Sequence, residues 1–306
     1  MAFDIEQKLV VGVASSALFD LTAPHDIFVN QGPKAYKQHQ KDNINEVLQP
    51  GVAFSFIQRL LKINQHFSEQ MPVEVVLLSR NSPATGERVF RSISHYGLDI
   101  SRAAFIEGQS PFKYLPTFNV ALFLSAHQQD VQNAIDAGFA AGLVLSGQGQ
   151  DDESEELRIA FDFDGVIADD EAESVFKKGD LESFIQHESS RSHIPHNPGP
   201  LADFFKKIAL IQKLEDAKQE NDRSYQRILR TSIVTARNAP AHERMITTLE
   251  NWGVSPNETF FLGGMNKNRV LQTLKPHIFF DDQLTHLQAN EAEIPMVHIP
   301  FGIANA

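Results

Sequence analysis

Residues 158–171 read RIAFDFDGVIADDE. An apolar run breaks off at Asp162, and a second carboxylate, Asp164, and a glycine, Gly165, follow at once. Such a run has the character of a strand buried in a parallel sheet, and the C-terminal ends of those strands are where open sheets bind their ligands. Two carboxylates one residue apart point in similar directions if the backbone stays extended, so one can attack while the other exchanges a proton. The glycine lets the chain turn closely around a bound phosphate.

Further apolar runs of strand length stand at residues 9–14, 73–78, 120–124, 141–145, 157–161, 233–234 and 278–280. Stretches with helical spacing separate them, among them 53–63, 130–137, 201–214 and 241–252. This alternation predicts an α/β fold with mostly parallel, buried strands. The order of landmarks also repeats. An offset of 148 places Leu9 over Leu157 and Pro50-Gly51 over Pro198-Gly199, each pair preceding an amphipathic stretch. Near an offset of 156, SRNSPATGERVF lies over TARNAPAHERM, and Leu124-Ser125-Ala126 over Phe280-Asp281-Asp282. A duplicated α/β unit is expected, divided near residue 150 in the polar, acidic segment GQGQDDESEE, which reads as a linker.

Composition narrows the function classes. The chain has 306 residues, 42% hydrophobic and 22% charged, which is ordinary for a globular protein with a substantial core. Its net charge is −12 and it has no Lys/Arg-rich run, so long nucleic acid is not expected as a partner. A small phosphate remains compatible, because a few focused donors and a metal ion decide binding locally. Without cysteine, disulfides, thiolate metal sites and cysteine nucleophiles are excluded. No basic leader is visible, and no apolar stretch approaches the roughly 20 residues that span a bilayer, so a cytoplasmic location is the expected default.

The motif RIAFDFDGVIADDE resembles the haloacid dehalogenase superfamily of phosphatases, which carry Asp-x-Asp after the first strand of a Rossmann-like sheet. The resemblance implies that Asp162 forms an aspartyl-phosphate and that Asp164 protonates the leaving group and later activates water. It also implies that Thr235, ending SIVT, binds a phosphoryl oxygen and that Lys267 holds the nucleophile. Asp281 and Asp282 of IFFDDQ would join Asp162 and Asp164 in a magnesium site, whose oxygen-rich coordination suits carboxylates and water. At the matching places in the first half stand Ala14, Ser16, Ser125 and Ala126, so residues 1–150 are expected to be a catalytically inert copy of the catalytic unit 151–306.

Over nearly the whole chain, VASSALFDL, LLSRNSPATGERVFRSISHYGLDISRAAF, AFDFDGVIADDEAE and IFFDDQ together resemble the cytosolic 5′-nucleotidase type I family. That implies magnesium-dependent hydrolysis of nucleoside 5′-monophosphates, AMP or deoxynucleotides among them. Residues 167–231 would form a helical cap over the site. Glu171, Arg237 and Asn238 are the substrate-binding candidates, with Glu173 beside the first of them. The spacing of His187, His193 and His196 matches no strong zinc signature. Three matters stay open: another small phosphomonoester as substrate, a non-catalytic nucleotide-binding regulator as the function, and whether a nucleotide effector or a homo-oligomer is involved.

Overall fold

The computed structural model describes residues 4–145, 152, 154–287 and 294–305, so the expected linker lies mostly outside the described residues. Two compact units divide the chain, Met1–Phe139 and Ala140–Ala306. The first is built from β1 (Leu9–Val13), α1 (Ser15–Leu18), α2 (Thr22–Asp42), α3 (Phe54–His66), β2 (Val73–Ser79), α4 (Pro83–His95), β3 (Arg102–Phe105), β4 (Leu122–Ser125) and α5 (Gln128–Asp136). Its strands are all parallel, in the order β3-β2-β1-β4.

The second unit comprises β5 (Ala141–Val144), β6 (Leu157–Phe161), α6 (Glu171–Lys178), α7 (Leu181–Ser190), α8 (Ala202–Asn221), β7 (Leu229–Thr235), α9 (His242–Trp252), β8 (Glu258–Phe261), α10 (Asn268–Leu274), β9 (Ile278–Asp281), α11 (Leu284–Leu287) and β10 (Met296–His298). Strands β8-β7-β6-β9-β10 are parallel, and β5 joins β10 antiparallel. That pairing gives residues 141–144 to the second unit, so the division falls earlier than the expected residue 150. The order β3-β2-β1-β4 in one unit matches β8-β7-β6-β9 in the other.

The Pro-Gly landmarks do the same work in both units. Pro50 bridges Phe19 and Pro198 bridges Ala168, while Gly51 and Gly199 donate their N–H to the carbonyls of Leu18 and Ile167 at 2.9 and 2.8 Å. A Cβ on Gly199 would sit 2.2 Å from the Ala168 carbonyl oxygen, so no larger residue fits without moving the backbone. Each bridge closes the base of an insertion, between β1 and α3 in the first unit and between β6 and α8 in the second.

The insertion of the second unit is shorter than the expected 167–231. Helix α8 packs on the sheet, with the rings of Phe204 and Phe205 lying 6.2 and 5.2 Å from Phe161 of β6. These aromatic contacts, together with Phe280 of β9 at 5.3 Å from Phe161, make α8 part of the core. The segment beyond the Ala168–Pro198 bridge is therefore α6 and α7, which meet through Phe176 and Phe184. No described helix is long and apolar enough to cross a membrane.

Candidate active site

Register brings the carboxylates together. Phe161 of β6 lies beside Ile233 of β7 and Phe280 of β9, so the next residues, Asp162, Val234 and Asp281, emerge at one level with Thr235 just beyond. The Asp162 N–H donates to the Phe280 carbonyl at 2.8 Å, holding the chain extended to its last strand contact. Gly165 then turns with φ +70°, and a Cβ there would lie 2.4 Å from Asp282 Oδ2. The close approach that demands glycine is to the Asp282 carboxylate.

Lys267 enters from the start of α10 and donates to both Asp162 Oδ2 and Asp281 Oδ2, each at 2.7 Å. Burial disfavours its ammonium, but the two carboxylates outweigh burial and push its pKa up. Asp162 is 4% exposed, and burial raises its pKa to about 7, assisted by Asp281 and Asp164 and opposed by Lys267. Burial also opposes ionisation of Asp281, yet Lys267 and His286 hold its carboxyl below the ordinary value. Asp281 is fully engaged: Oδ1 accepts from the Gln283 N–H at 2.8 Å, Oδ2 from Lys267, and His286 Nδ1 lies 3.2 Å from each.

Asp282 is the opposite case. Both its carboxylate oxygens are buried without a hydrogen-bond partner, and burial, then Asp162, Asp281 and Glu173, push its pKa up to about 10. Glu173 Oε2 is likewise buried and without a hydrogen-bond partner. Four acids beside one lysine, two of them holding orphaned oxygens, are a donor set that fits a hard divalent cation, and magnesium is such an ion. Among the described residues Asp162, Asp281 and His286 have ligand atoms within 4.8 Å of one another, and Asp282 adds two buried oxygens without a hydrogen-bond partner. The side chain of Asp164 turns elsewhere, and Asp281 is occupied by Lys267 and His286.

Thr235 Oγ1 accepts the Arg237 N–H at 3.2 Å, which leaves its hydroxyl proton free to donate. The Asn238 amide makes no hydrogen bond among the described residues and lies against Gly263. The other two substrate candidates are committed. The Glu171 carboxylate is bonded to Arg191 and Arg244 and lies 3.3 Å from His187. Arg237 is buried and gives Nε and Nη2 to the two oxygens of Asp164 at 2.8 and 2.6 Å. Its Nη1 goes to Glu188 and to the Ala241 carbonyl, and Nη2 also lies 3.0 Å from His196 Nε2. Four of the five guanidinium N–H groups are thereby engaged by Asp164, Glu188 and the Ala241 carbonyl, and the fifth points at the His196 ring.

Sequence reasoning missed Glu188, the hub of this cluster. It is fully buried between Arg237, Arg244, His187 and His196. Burial opposes its ionisation, but His196 and Arg237 outweigh burial and hold its carboxyl well below the usual range. His187 and His196 each lie 3.1 Å from a Glu188 oxygen, and His193 is exposed, so the three do not gather as zinc ligands.

The family model described as 5′-nucleotidase matches residues 1–306. Human cytosolic 5′-nucleotidase 1B is 33% identical over 293 residues, which is 92% of this chain and 47% of that protein. The chain therefore spans about half the length of that curated relative. No solved structure matches it. A whole-chain family match, with Asp162 buried at the end of β6 and Lys267 buried at the start of α10, gives one conclusion: the chain belongs to the 5′-nucleotidase family, a haloacid dehalogenase-type family of phosphoric monoester hydrolases.

Proposed function

We propose that this chain is a magnesium-dependent 5′-nucleotidase that hydrolyses nucleoside 5′-monophosphates, AMP or deoxynucleotides, to nucleoside and phosphate through an aspartyl-phosphate on Asp162. The observation that carries the proposal is the buried Asp162–Lys267–Asp281 arrangement, with its 2.7 Å contacts, next to the partnerless Asp282 carboxylate. Asp162 attacks phosphorus in line with the ester oxygen, and Lys267 offsets charge on the phosphoryl group. The free hydroxyl proton of Thr235 donates to a phosphoryl oxygen, and Asp164 gives a proton to the departing 5′ oxygen before activating water in the second step. Asp162 and Asp282 would hold the magnesium, which when bound would supply further charge neutralisation at the phosphoryl oxygens. Asn238, with its free amide, is the residue best placed to meet the substrate.

In the same reading the first unit is a catalytically inert copy, supported by the shared strand order and by Ala14, Ser16, Ser125 and Ala126 at the places of the four aspartates. A cytoplasmic location belongs to this reading by analogy with the relative's name. The test is phosphate release from nucleoside monophosphates and from sugar phosphates, with magnesium or EDTA, by wild type and Asp162→Asn. Magnesium-dependent release that favours nucleotides and vanishes in the variant is expected. Release from sugar phosphates alone would discard the nucleotide, and full turnover by Asp162→Asn would discard the nucleophile.

A further inference from the structure

The Asp164 carboxylate has one anchor. Both of its oxygens accept from Arg237, at 2.6 and 2.8 Å, and among the described residues no other group hydrogen-bonds it. Arg237 is in turn held from the insertion. Helix α7 supplies Glu188, paired with Nη1, and Phe184, whose ring lies 5.6 Å from the guanidinium carbon. Phe184 and Glu188 are four residues apart and so share one face of α7. Phe163, between the two aspartates, places its ring 5.2 Å from the same carbon. His196, from the other end of the insertion, lies 3.1 Å from Glu188 Oε2 and 3.0 Å from Arg237 Nη2. Thus Asp164, Arg237, Glu188 and His196 form one hydrogen-bonded chain running from the strand end into the insertion.

We propose that Arg237 and Glu188 are positioning residues that set the rotamer of Asp164, so that the insertion controls proton transfer to the leaving group. This rests on the nucleotidase reading above. A planar guanidinium bound through two parallel N–H groups fixes both the torsion and the tilt of a carboxylate, which a single contact does not. In the first unit, where Ser16 stands at the acid/base position, Asn81 stands at the place of Arg237: its N–H meets Ser79 Oγ at 3.1 Å as the N–H of Arg237 meets Thr235 Oγ1 at 3.2 Å. The forked arginine thus accompanies the Asp-x-Asp motif and is replaced by asparagine in the unit that lacks it.

The step at stake is the first. As the Asp162 oxygen bonds to phosphorus, the ester P–O bond breaks, and the electron pair left on the 5′ oxygen takes the proton carried by Asp164. A nucleoside alkoxide needs that proton, whereas p-nitrophenolate departs without it. The ratio of kcat/KM for a nucleoside 5′-monophosphate to kcat/KM for p-nitrophenyl phosphate therefore reports proton donation and is insensitive to a general loss of active protein.

Wild type, Arg237→Lys, Glu188→Gln and the benchmark Asp164→Asn are compared in excess magnesium. General acid catalysis contributes on the order of 10²- to 10⁴-fold, so the ratio should fall about 100-fold or more in Asp164→Asn and at least about tenfold in the two positioning variants. Phe184→Leu, which trims the α7 contact and leaves every charge in place, covers the case in which a charge variant fails to fold, and it should lower the same ratio by a smaller factor. Equal losses on both esters, or an unchanged ratio in soluble variants, would overturn the positioning role while leaving the nucleotidase intact. A wild-type protein that cleaves neither ester would overturn both.

Discussion

Replacing Asp282 by Asn should stabilise the metal-free protein, the reverse of the usual outcome for a buried polar side chain. Its carboxyl is pushed from the ordinary 3.8 up to about 10, so the native chain keeps a proton that the unfolded chain has released. Stability tied to this group is complete below about pH 4 and drains away as pH rises towards 10, because the unfolded state gains by ionising. Each pH unit is worth about 1.4 kcal/mol, so by pH 7 Asp282 costs the metal-free fold up to about 4 kcal/mol, a cost that Asn does not carry. The assay is urea unfolding in EDTA at several values between pH 5 and 8, followed by the fluorescence of Trp252, the single tryptophan. Wild-type stability should fall more steeply with pH than that of Asp282→Asn, by about 1.4 kcal/mol per unit. Magnesium should raise the wild-type midpoint and leave the variant's unchanged, since only an occupied site adds binding free energy. A variant less stable than wild type in EDTA at pH 7, or two parallel pH profiles, would refute the reasoning.

Gly165→Ala should cost about 1–3 kcal/mol through its positive φ and weaken magnesium binding through the clash with Asp282, read by thermal melts with and without the ion. Glu215→Leu removes the buried acceptor of the Tyr225 hydroxyl and the Ile228 N–H, at 2.8 and 2.7 Å, and should lower the unfolding free energy read from urea titration by about 1–3 kcal/mol for the Ile228 N–H alone. Glu188→Ala strands Arg237 and Arg244 in a dry interior and should destabilise the second unit by about 3–5 kcal/mol, more than Glu188→Gln, which keeps an acceptor. In a third assay, Asn238→Ala should raise KM for a nucleoside monophosphate and leave the melting temperature within error, since its amide supports nothing in the fold.

Much of the fold was legible because its central strands are buried and spelled almost wholly in apolar residues, as in Leu9–Val13 and in Leu157–Phe161, where only the partly buried Arg158 interrupts the run. The outer strands β3 and β8 escaped notice. They read RAAF and ETFF, are only partly buried, and carry no run long enough to stand out. Strand β7 was read as two residues because Thr231 and Ser232 interrupt its apolar pattern, yet both are buried and bonded to Gln212 and Glu258. In the site, Asp162 and the Asp281-Asp282 pair were visible as motifs at strand ends, and Lys267 through the resemblance. Glu188 was not, because its partners Arg237 and Arg244 lie 49 and 56 residues away and HESSRSHIPH looks like any solvated stretch. The same long-range pairing explains why Glu171 and Arg237 looked available for substrate and are bound to the protein itself.

The clasp of Pro198 on Ala168, repeated as Pro50 on Phe19, divides each unit into a part that must keep its geometry and a part that is exchangeable. Both ends of the insertion leave the sheet through one pair of facing residues, so chain between them can be lengthened, shortened or replaced without disturbing the register of β6. A transplant of this kind retunes recognition while the chemistry stays put, on one condition. The incoming segment must bring its own anion to the place of Glu188, since the scaffold supplies the arginines and leaves their counter-charge to whatever is inserted.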